Sequence, residues 1–500
     1  MASIVVAGLC ATAALPAGAW AALRVVVVSG LEPGDLAALA DRGAVGLLVP
    51  DSGPRTSAGR ARAALERGAV RNSVLGGLPE GRPLVEVETA ASAPEGPAIV
   101  LGLPRGGVQR NDRRYPIAVL AAGYRGLLTS DSTRIPGLVS IVDVAPTALG
   151  TDDAIGSTAD DDPLGTLEDL DGRIEANRDA RDVVVLLSLA LIVAVAAFLP
   201  GAVLPAFAAV LLANPVLGAV GATEIWVVAL VVVLAVAASL PLARAGPVAH
   251  GLLMAGVLAA YLVAMAIDAG WVALSPLGPT QNSRFYGLSN LLATLLLVPA
   301  LAGAVLLGRR FGMWAFVGVA ALSVVTVGGT AFGADVGGLI VLLAGFVVLA
   351  VLEHGFDRRL AIGGAAVAAV LAVALAVGGS SHVTEALSDG PAGLAEDLGR
   401  RIQISFERAT GGWTTALVVF GGIAALAALA LRERRPVPLA LLAALGVSLV
   451  VNDSPKDVVV AGLACYLVLS SAPELAPRAR EPARPAPRAP RERTAQAASP

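Results

Sequence analysis

Six polar residues sit at the edges of apolar runs in the C-terminal part of the chain: Arg284, Tyr286, Asn290, Asp335, Asn452 and Asp453. A guanidinium presents a planar fork of donors that matches a phosphate or a carboxylate in two places. The phenol and the two amides add neutral donors and acceptors, and the two carboxylates are candidate general bases. Such a set can bind a phosphorylated or carboxylated group, with Arg284, Tyr286, Asn290 and Asn452 as substrate contacts and Asp335 or Asp453 as base. Each also has a purely structural use. Asp335 stands where it would N-cap the next helix, and Asn452 to Pro455 reads as a turn capped by Asp453 or Ser454.

A second acid and hydroxyl lie upstream, in Asp51-Ser-Gly-Pro-Arg-Thr56. Thr56 becomes a nucleophile only beside a base or a metal. The histidines are His250, His354 and His382, so a multi-histidine metal centre upstream of His250 is excluded by count. Cys10 and Cys465 both fall in apolar segments and build neither a disulfide framework nor a thiolate metal site. No metal and no cofactor is expected.

The elements that must position these groups are membrane helices. From Val183 to Ser471 the chain is a series of Ala/Val/Leu stretches long enough to cross a bilayer. One set of breaks carries arginine: Arg244, Arg309-Arg310, Arg358-Arg359 and Arg432-Arg434-Arg435. The alternate set carries acids, amides, Gly and Pro: Asn214 to Glu224, Asp268 to Asn290, Gly328 to Asp335, and Asn452 to Lys456. The bias of short cytoplasmic loops toward Lys and Arg places the arginine set inside and the other set outside. Arg284 breaks that rule. It calls for a partner such as Asp268, Asp335 or Asp453, or for an anionic substrate.

About eleven crossings are expected, from near Val183, Val203, Ile225, Val248, Leu288, Trp314, Asp335, Ala361, Thr414, Val437 and Asp457. The second is interrupted by Pro205 and by Asn214-Pro215. Ala315 to Leu352 is too long for one crossing and should turn at the glycines around Gly328 and Gly337. Between Gly379 and Trp413 a helix from Ala392 to Ala409 puts Leu394, Leu398, Ile402, Phe406 and Ala409 on one stripe. Such a helix suits the outer membrane surface. Hydrophobic residues make up 56% and charged residues 15%, too apolar for a soluble chain of this length. A net charge of -3 gives no basic field, so nucleic acid is not an expected partner.

Residues 1–23 form an apolar signal peptide or anchor ending in Ala19-Trp20-Ala21. Residues 24–150 alternate strand-like and helix-like runs: Val25 to Val28, Pro33 to Arg42, Ala44 to Val49, Ser57 to Ala69, Pro97 to Leu103 and Tyr115 to Ala122. A short last helix runs from Asp143 to Leu149. This pattern is a layered α/β unit. Residues 151–182 hold an acidic linker, Thr151 to Pro163, and a polar helix with Leu167, Leu170 and Ile174 on one face. Residues 183–471 are the transmembrane bundle, and 472–500 are a Pro/Ala/Arg tail that cannot bury a core.

Two resemblances attach to these residues. Pro136-Gly-Leu-Val followed by Asp143-Val-Ala-Pro-Thr147 resembles the closing strand and helix of the alkaline phosphatase and sulfatase superfamily. In order before it, Val25 to Gly30 resembles the first strand, Arg42-Gly-Ala-Val-Gly-Leu the second, and Ser52 to Thr56 the nucleophile loop. Tyr115-Pro-Ile-Ala-Val is similar to the strand before the closing segment. The resemblance implies a metal aspartate where this chain has Ser29, so a degenerate, non-catalytic relative is expected.

Arg284-Phe-Tyr-Gly, Gly333-Ala-Asp335 and Asn452-Asp453-Ser454 resemble stretches in uncharacterised bacterial multi-pass proteins with a phosphatase-like outer domain. Leu291 stands where a Glu is expected, and Pro455 where a Gly is. The same arrangement of anchor, outer domain and bundle is similar to lipid-linked phosphoethanolamine transferases.

The expected architecture is an α-helical polytopic membrane bundle with a small extracytoplasmic α/β domain, in the plasma membrane. Residues 24–182 would lie outside and the tail in the cytoplasm. The expected partner is a membrane lipid or a lipid-linked substrate. The leading expectation is transport or flipping of a lipid-linked or phosphorylated envelope precursor. A membrane-embedded transferase and a non-catalytic assembly scaffold are the alternatives.

Overall fold

The computed structural model describes residues 22–71, 74, 77–279, 285–355, 362–364, 390–452 and 454–476. Residues 1–21 of the expected signal or anchor, and the tail from 477, lie outside the described residues.

The α/β domain is built on one mixed sheet. Its strands are β1 (Arg24–Val28), β2 (Ala44–Val49), β4 (Val87–Ala90), β5 (Ala98–Leu101), β7 (Tyr115–Leu120), β8 (Gly126–Ser130), β9 (Leu138–Ser140) and β10 (Ile155–Thr158). They lie in the order β10-β8-β2-β7-β5-β1-β4, with β9 also paired to β2. A small hairpin pairs β3 (Arg55–Thr56) with β6 (Gln109–Arg110). The sheet is central: all six residues of β2 are buried. A strand covered on both faces reads as a continuous apolar run, which is why Ala44 to Val49 shows no alternation.

In β1 the faces separate. Val26 and Val28 pack on one side with α1 (Leu36–Ala40), while Val25 packs on the other with α2 (Ala58–Arg67) and α3 (Val144–Leu149).

The expected acidic linker contains a strand. Ile155–Thr158 pairs antiparallel with β8 although only Ile155 is buried. Its place is fixed by the backbone: Tyr124 Oη donates to the Ile155 carbonyl at 2.9 Å, and the Ile155 N–H donates to Thr147 Oγ1 at 3.1 Å.

The polar helix and the first apolar stretch are one continuous helix, α4 (Pro163–Phe198). Its 36 residues rise about 54 Å. Asp162 caps it, accepting from Gly165 N–H at 3.1 Å, and Pro163 takes the first-turn position where no N–H is needed. Leu167, Leu170 and Ile174 enter the sheet's core, so the same rod that begins under the sheet continues into the bundle.

The bundle follows as α5 (Pro200–Ala219), α6 (Ile225–Arg244), α7 (Pro247–Ile267), α8 (Gly270–Ala273), α9 (Asn290–Phe311), α10 (Met313–Gly328) and α11 (Val336–His354). It ends with α12 (Gly390–Thr410), α13 (Trp413–Glu433), α14 (Pro436–Val451) and α15 (Pro455–Ser471). Seven of the described helices are long and apolar enough to cross a membrane, and two shorter apolar helices are α10 and α14. The crossing expected from Ala361 falls outside the described residues apart from 362–364. The long apolar stretch does break at its glycines, between Gly328 and Val336.

Pro215 does not break α5. A proline there cannot donate to the Leu211 carbonyl one turn back. Tyr261 Oη on α7 donates to that carbonyl instead, at 2.8 Å. Asn214 completes the repair: its Nδ2 donates to Ser275 Oγ at 2.8 Å and its Oδ1 accepts from Leu277 N–H at 2.9 Å.

The described members of the two sets of breaks sort to the two ends of the bundle, with Arg358-Arg359 outside the described residues. Next to the α/β domain, Arg173 donates to the Gly218 and Leu274 carbonyls, and Asn177 Nδ2 reaches Leu274 O at 2.7 Å. At the far end, Arg309 pairs with Glu353 at 2.7 Å, and Arg435 donates to the Ser470 carbonyl at 2.8 Å. His250 lies there too, with Nδ1 2.9 Å from Glu474 Oε1 and Nε2 2.9 Å from the Leu242 carbonyl.

Candidate functional site

The bundle's domain end gathers the N-termini of α9, α11 and α15 and the C-terminus of α14. Its turns approach one another backbone to backbone. Gly287 has a φ of 79°, and the Leu288 N–H next to it donates to the Gly333 carbonyl at 3.0 Å. A Cβ at Gly287 would stand 2.1 Å from that same carbonyl oxygen, so only glycine fits. This contact ties the turn before α9 to the turn before α11.

Asp335 caps α11. It is 8% exposed, and its Oδ1 accepts from the Gly338 N–H at 2.9 Å. The positive end of the helix dipole favours the carboxylate there. Asn452, 4% exposed, follows α14 and donates from Nδ2 to Ser448 Oγ at 2.8 Å. Gly337 brings these two residues together: a Cβ there would meet Asn452 Oδ1 at 2.3 Å and Asp335 Oδ1 at 3.4 Å. The acid and the amide, 117 positions apart in sequence, therefore share one wall of the bundle's end.

Tyr286 and Asn290 sit on the same end with different roles. The Tyr286 ring lies under the Arg134 guanidinium, 4.0 Å from ring centroid to Cζ. Arg134 belongs to the loop between β8 and β9, holds a φ of 57°, and donates from Nη1 to the Thr330 carbonyl at 3.0 Å. Asn290 opens α9, and its carbonyl accepts from Thr294 Oγ1 at 2.7 Å. Ser289, not Asn290, caps that helix, accepting from Leu292 N–H at 3.2 Å. Arg284 and Asp453 lie outside the described residues.

Arg134 carries no motif; its placement depends on a loop that sequence alone does not dock against the bundle. Phe285 gives the stronger link, since its buried ring joins the core formed by Val26, Val28 and Leu170.

The second candidate loop lies in the α/β domain. Asp51 is 1% exposed and fully engaged: Oδ2 accepts from Arg60 Nε at 2.8 Å and Oδ1 from Ser52 N–H at 2.8 Å. Arg60 spends its other nitrogens on the Gly77 and Arg71 carbonyls. Asn111 Nδ2 donates to the Asp51 and Gly53 carbonyls at 2.9 and 3.0 Å.

Burial raises the Asp51 carboxyl above the ordinary carboxylate range, and the Arg60 guanidinium opposes that shift. The Thr56 hydroxyl is buried beside this carboxylate and, like Arg60, pulls it back down. Arg60 and Asn111 escape sequence reading. Arg60 has a faint signal, because it shares the helix face of Ala61, Ala64 and Leu65, the buried side of α2.

Asp143, the acid of the closing motif, is 6% exposed. It accepts from Ser130 Oγ, from Ser132 Oγ at 2.6 Å and from Ser132 N–H at 3.2 Å, while its own carbonyl accepts from Thr147 Oγ1 at 2.7 Å. Burial raises its carboxyl, against the pull of these donors. Among the described residues no cluster of three or more His, Cys, Asp or Glu is arranged to hold a metal ion.

No family model, curated protein or solved structure matches this chain.

The functional reading therefore rests on the two loops. In the α/β domain the acid beside Thr56 accepts from Arg60 and from Ser52, and its ion pair with Arg60 ties the loop to α2. At the bundle end a buried carboxylate and amide meet at a glycine-rich turn whose Thr330 carbonyl accepts from Arg134.

Proposed function

We propose that this protein is a multi-pass plasma-membrane protein that transports or flips a lipid-linked or phosphorylated envelope precursor, and that its α/β domain acts without catalysis on the outer side. The observation that carries this reading is the meeting of two buried polar residues from separate helices, Asp335 and Asn452, at a turn between helix ends on the side of the α/β domain. The arginines at the opposite end support the orientation, since Arg309 and Arg435 lie where cytoplasmic loops are expected. Arg284, which precedes α9 in the sequence, is then expected to serve an anionic cargo.

The test uses the full chain in vesicles holding a polyprenyl phosphate with a fluorescent head, read by loss of signal to an impermeant reductant. The expected result is faster movement between leaflets than in empty vesicles, lost in Asp335→Ala and in Arg284→Ala at equal insertion. Transfer of the head group to an acceptor without movement would replace transport by the transferase reading. Neither movement nor transfer would leave the scaffold. A reporter fused after Gly150 should act outside and one after Pro477 inside; both on one side would overturn the orientation.

A further inference from the structure

An apolar cleft opens in the half of the bundle nearest the α/β domain, between α4 and α15. Its mouth is formed by Val185, Ser188 and Leu189 on α4 and by Val460 and Ala464 on α15, all half-buried. Phe207 and Leu211 of α5 lie in its floor, and its empty space is about 540 Å³ counting the part open to the surroundings. The one polar side chain in the lining is Ser188. Its hydroxyl is shielded and makes no hydrogen bond among the described residues.

The cleft has a direction. Arg181 stands one turn above Val185 on α4, and Asp457 one turn above Val460 and Ala461 on α15. Arg181 Nη2 and Asp457 Oδ2 lie 3.6 Å apart, a loose pair across the cleft's upper end. Lys456 and Asp182 are exposed beside it. From Arg181 to Ile192 the helix rises about 16 Å, close to one leaflet of a hydrocarbon core about 30 Å thick. The neighbouring surface of α4 carries exposed Leu186, Val193 and Phe198, as a lipid-facing helix does.

We propose that this cleft holds one hydrocarbon tail of a lipid whose anionic phosphate sits at Arg181 and Lys456. A slot apolar over the roughly 10 Å from Val185 to Ile192 fits the upper part of a single lipid tail, and a phosphate above it would take the place of Asp457 beside Arg181 and Lys456. Arg181 can exchange its loose carboxylate for a phosphate oxygen, a stronger, charge-assisted partner. On the transport reading above, on which this identification rests, that lipid is the cargo waiting in the outer leaflet beneath the domain.

The experiment uses the full chain in phosphatidylcholine vesicles containing a minor fraction of phosphatidylglycerol with a photoreactive diazirine in its acyl chain. Cross-linked peptides are mapped by mass spectrometry. Labelling should concentrate on residues 185–192 and 460–464. Ser188→Leu and Ala464→Leu, which fill the half-buried mouth without entering the floor, should each cut it by about tenfold, the scale on which an added methylene closes an apolar pocket. Arg181→Gln, at the half-exposed upper end, should remove the preference for the anionic lipid over a diazirine phosphatidylcholine.

Equal labelling of the Leu186, Val193 and Phe198 surface, or undiminished labelling in both filled variants, would overturn the tail site. Confined labelling in a chain whose Ser188→Leu variant still moves the polyprenyl phosphate normally would leave the tail site standing and remove its identification with the cargo.

Discussion

The Asp51 loop and the Asp335 turn are each organised around a buried carboxylate, and they treat its charge differently. Asp51 is neutralised by a side chain of its own domain: Arg60 comes from the adjacent helix α2, and Asn111 ties down the backbone on the other side. Asp335 caps a helix terminus, accepting from the Gly338 N–H at the positive end of the α11 dipole. An internal ion pair is a closed contact, because any ligand that displaced one partner would strand the other in a dry site. On the proposed reading the Asp51 loop is a fixed part of the α/β domain and the Asp335 turn is where a cargo would pass.

That comparison breaks most readily at the ion pair. Asp51→Ala leaves Arg60 buried and uncompensated, a loss of about 3–5 kcal/mol. The melting temperature of the full chain in detergent, followed through the sheet's circular dichroism, should fall accordingly. A fall no larger than that of an exposed control such as Glu80→Ala would mean that Asp51 is not a structural clasp.

At the bundle end, Gly337→Val should cost about 1–3 kcal/mol, because a Cβ there would stand 2.3 Å from Asn452 Oδ1 and must displace it. The double variant with Asn452→Ala should recover much of that loss, and a purely additive pair would separate the two residues. Asp335→Ala removes a helix cap, worth about 0.5–2 kcal/mol. Its expected effect on cargo movement is far larger than its effect on melting. Parallel losses in both would reduce Asp335 to a cap.

Much of this was legible in the chain and some was not, for separable reasons. The apolar runs, the glycine turn after Gly328 and the strands at Val25, Ala44 and Tyr115 are local patterns that the packing respects. Ile155–Thr158 was not legible, because a strand held by backbone ladder and by Tyr124 needs little side-chain hydrophobicity. The unity of α4 was hidden because its polar first half and apolar second half look like separate segments. Only burial of Leu167 and Leu170 under the sheet shows why one helix serves both. In the candidate site, Asp335 and Asn452 were visible as polar residues at apolar edges. Arg60 and Arg134 were not, because what distinguishes them among many arginines is a long-range contact.

The smallest expected effect sharpens the comparison within the α/β domain itself, at a third buried carboxylate. Asp143 accepts three hydrogen bonds from Ser130 and Ser132, and burial raises its carboxyl above the ordinary value of 3.8. Between that value and the raised folded one, the folded chain keeps a proton that the unfolded chain has released. Stability attributable to this group therefore falls as pH rises through the window, opposite in sign to a salt-bridged carboxylate. Asp143→Asn keeps one oxygen acceptor, and the serine hydroxyls can turn to accept from its amide. The variant loses the titration and retains the bonds. Measured from about pH 4 to pH 7, its melting temperature should gain on that of the unaltered chain as pH rises. The Asp51 contribution cancels because both proteins carry it. A difference constant across that range would show that Asp143 is held as a carboxylate in folded and unfolded chains alike, with the serine donors outweighing its burial.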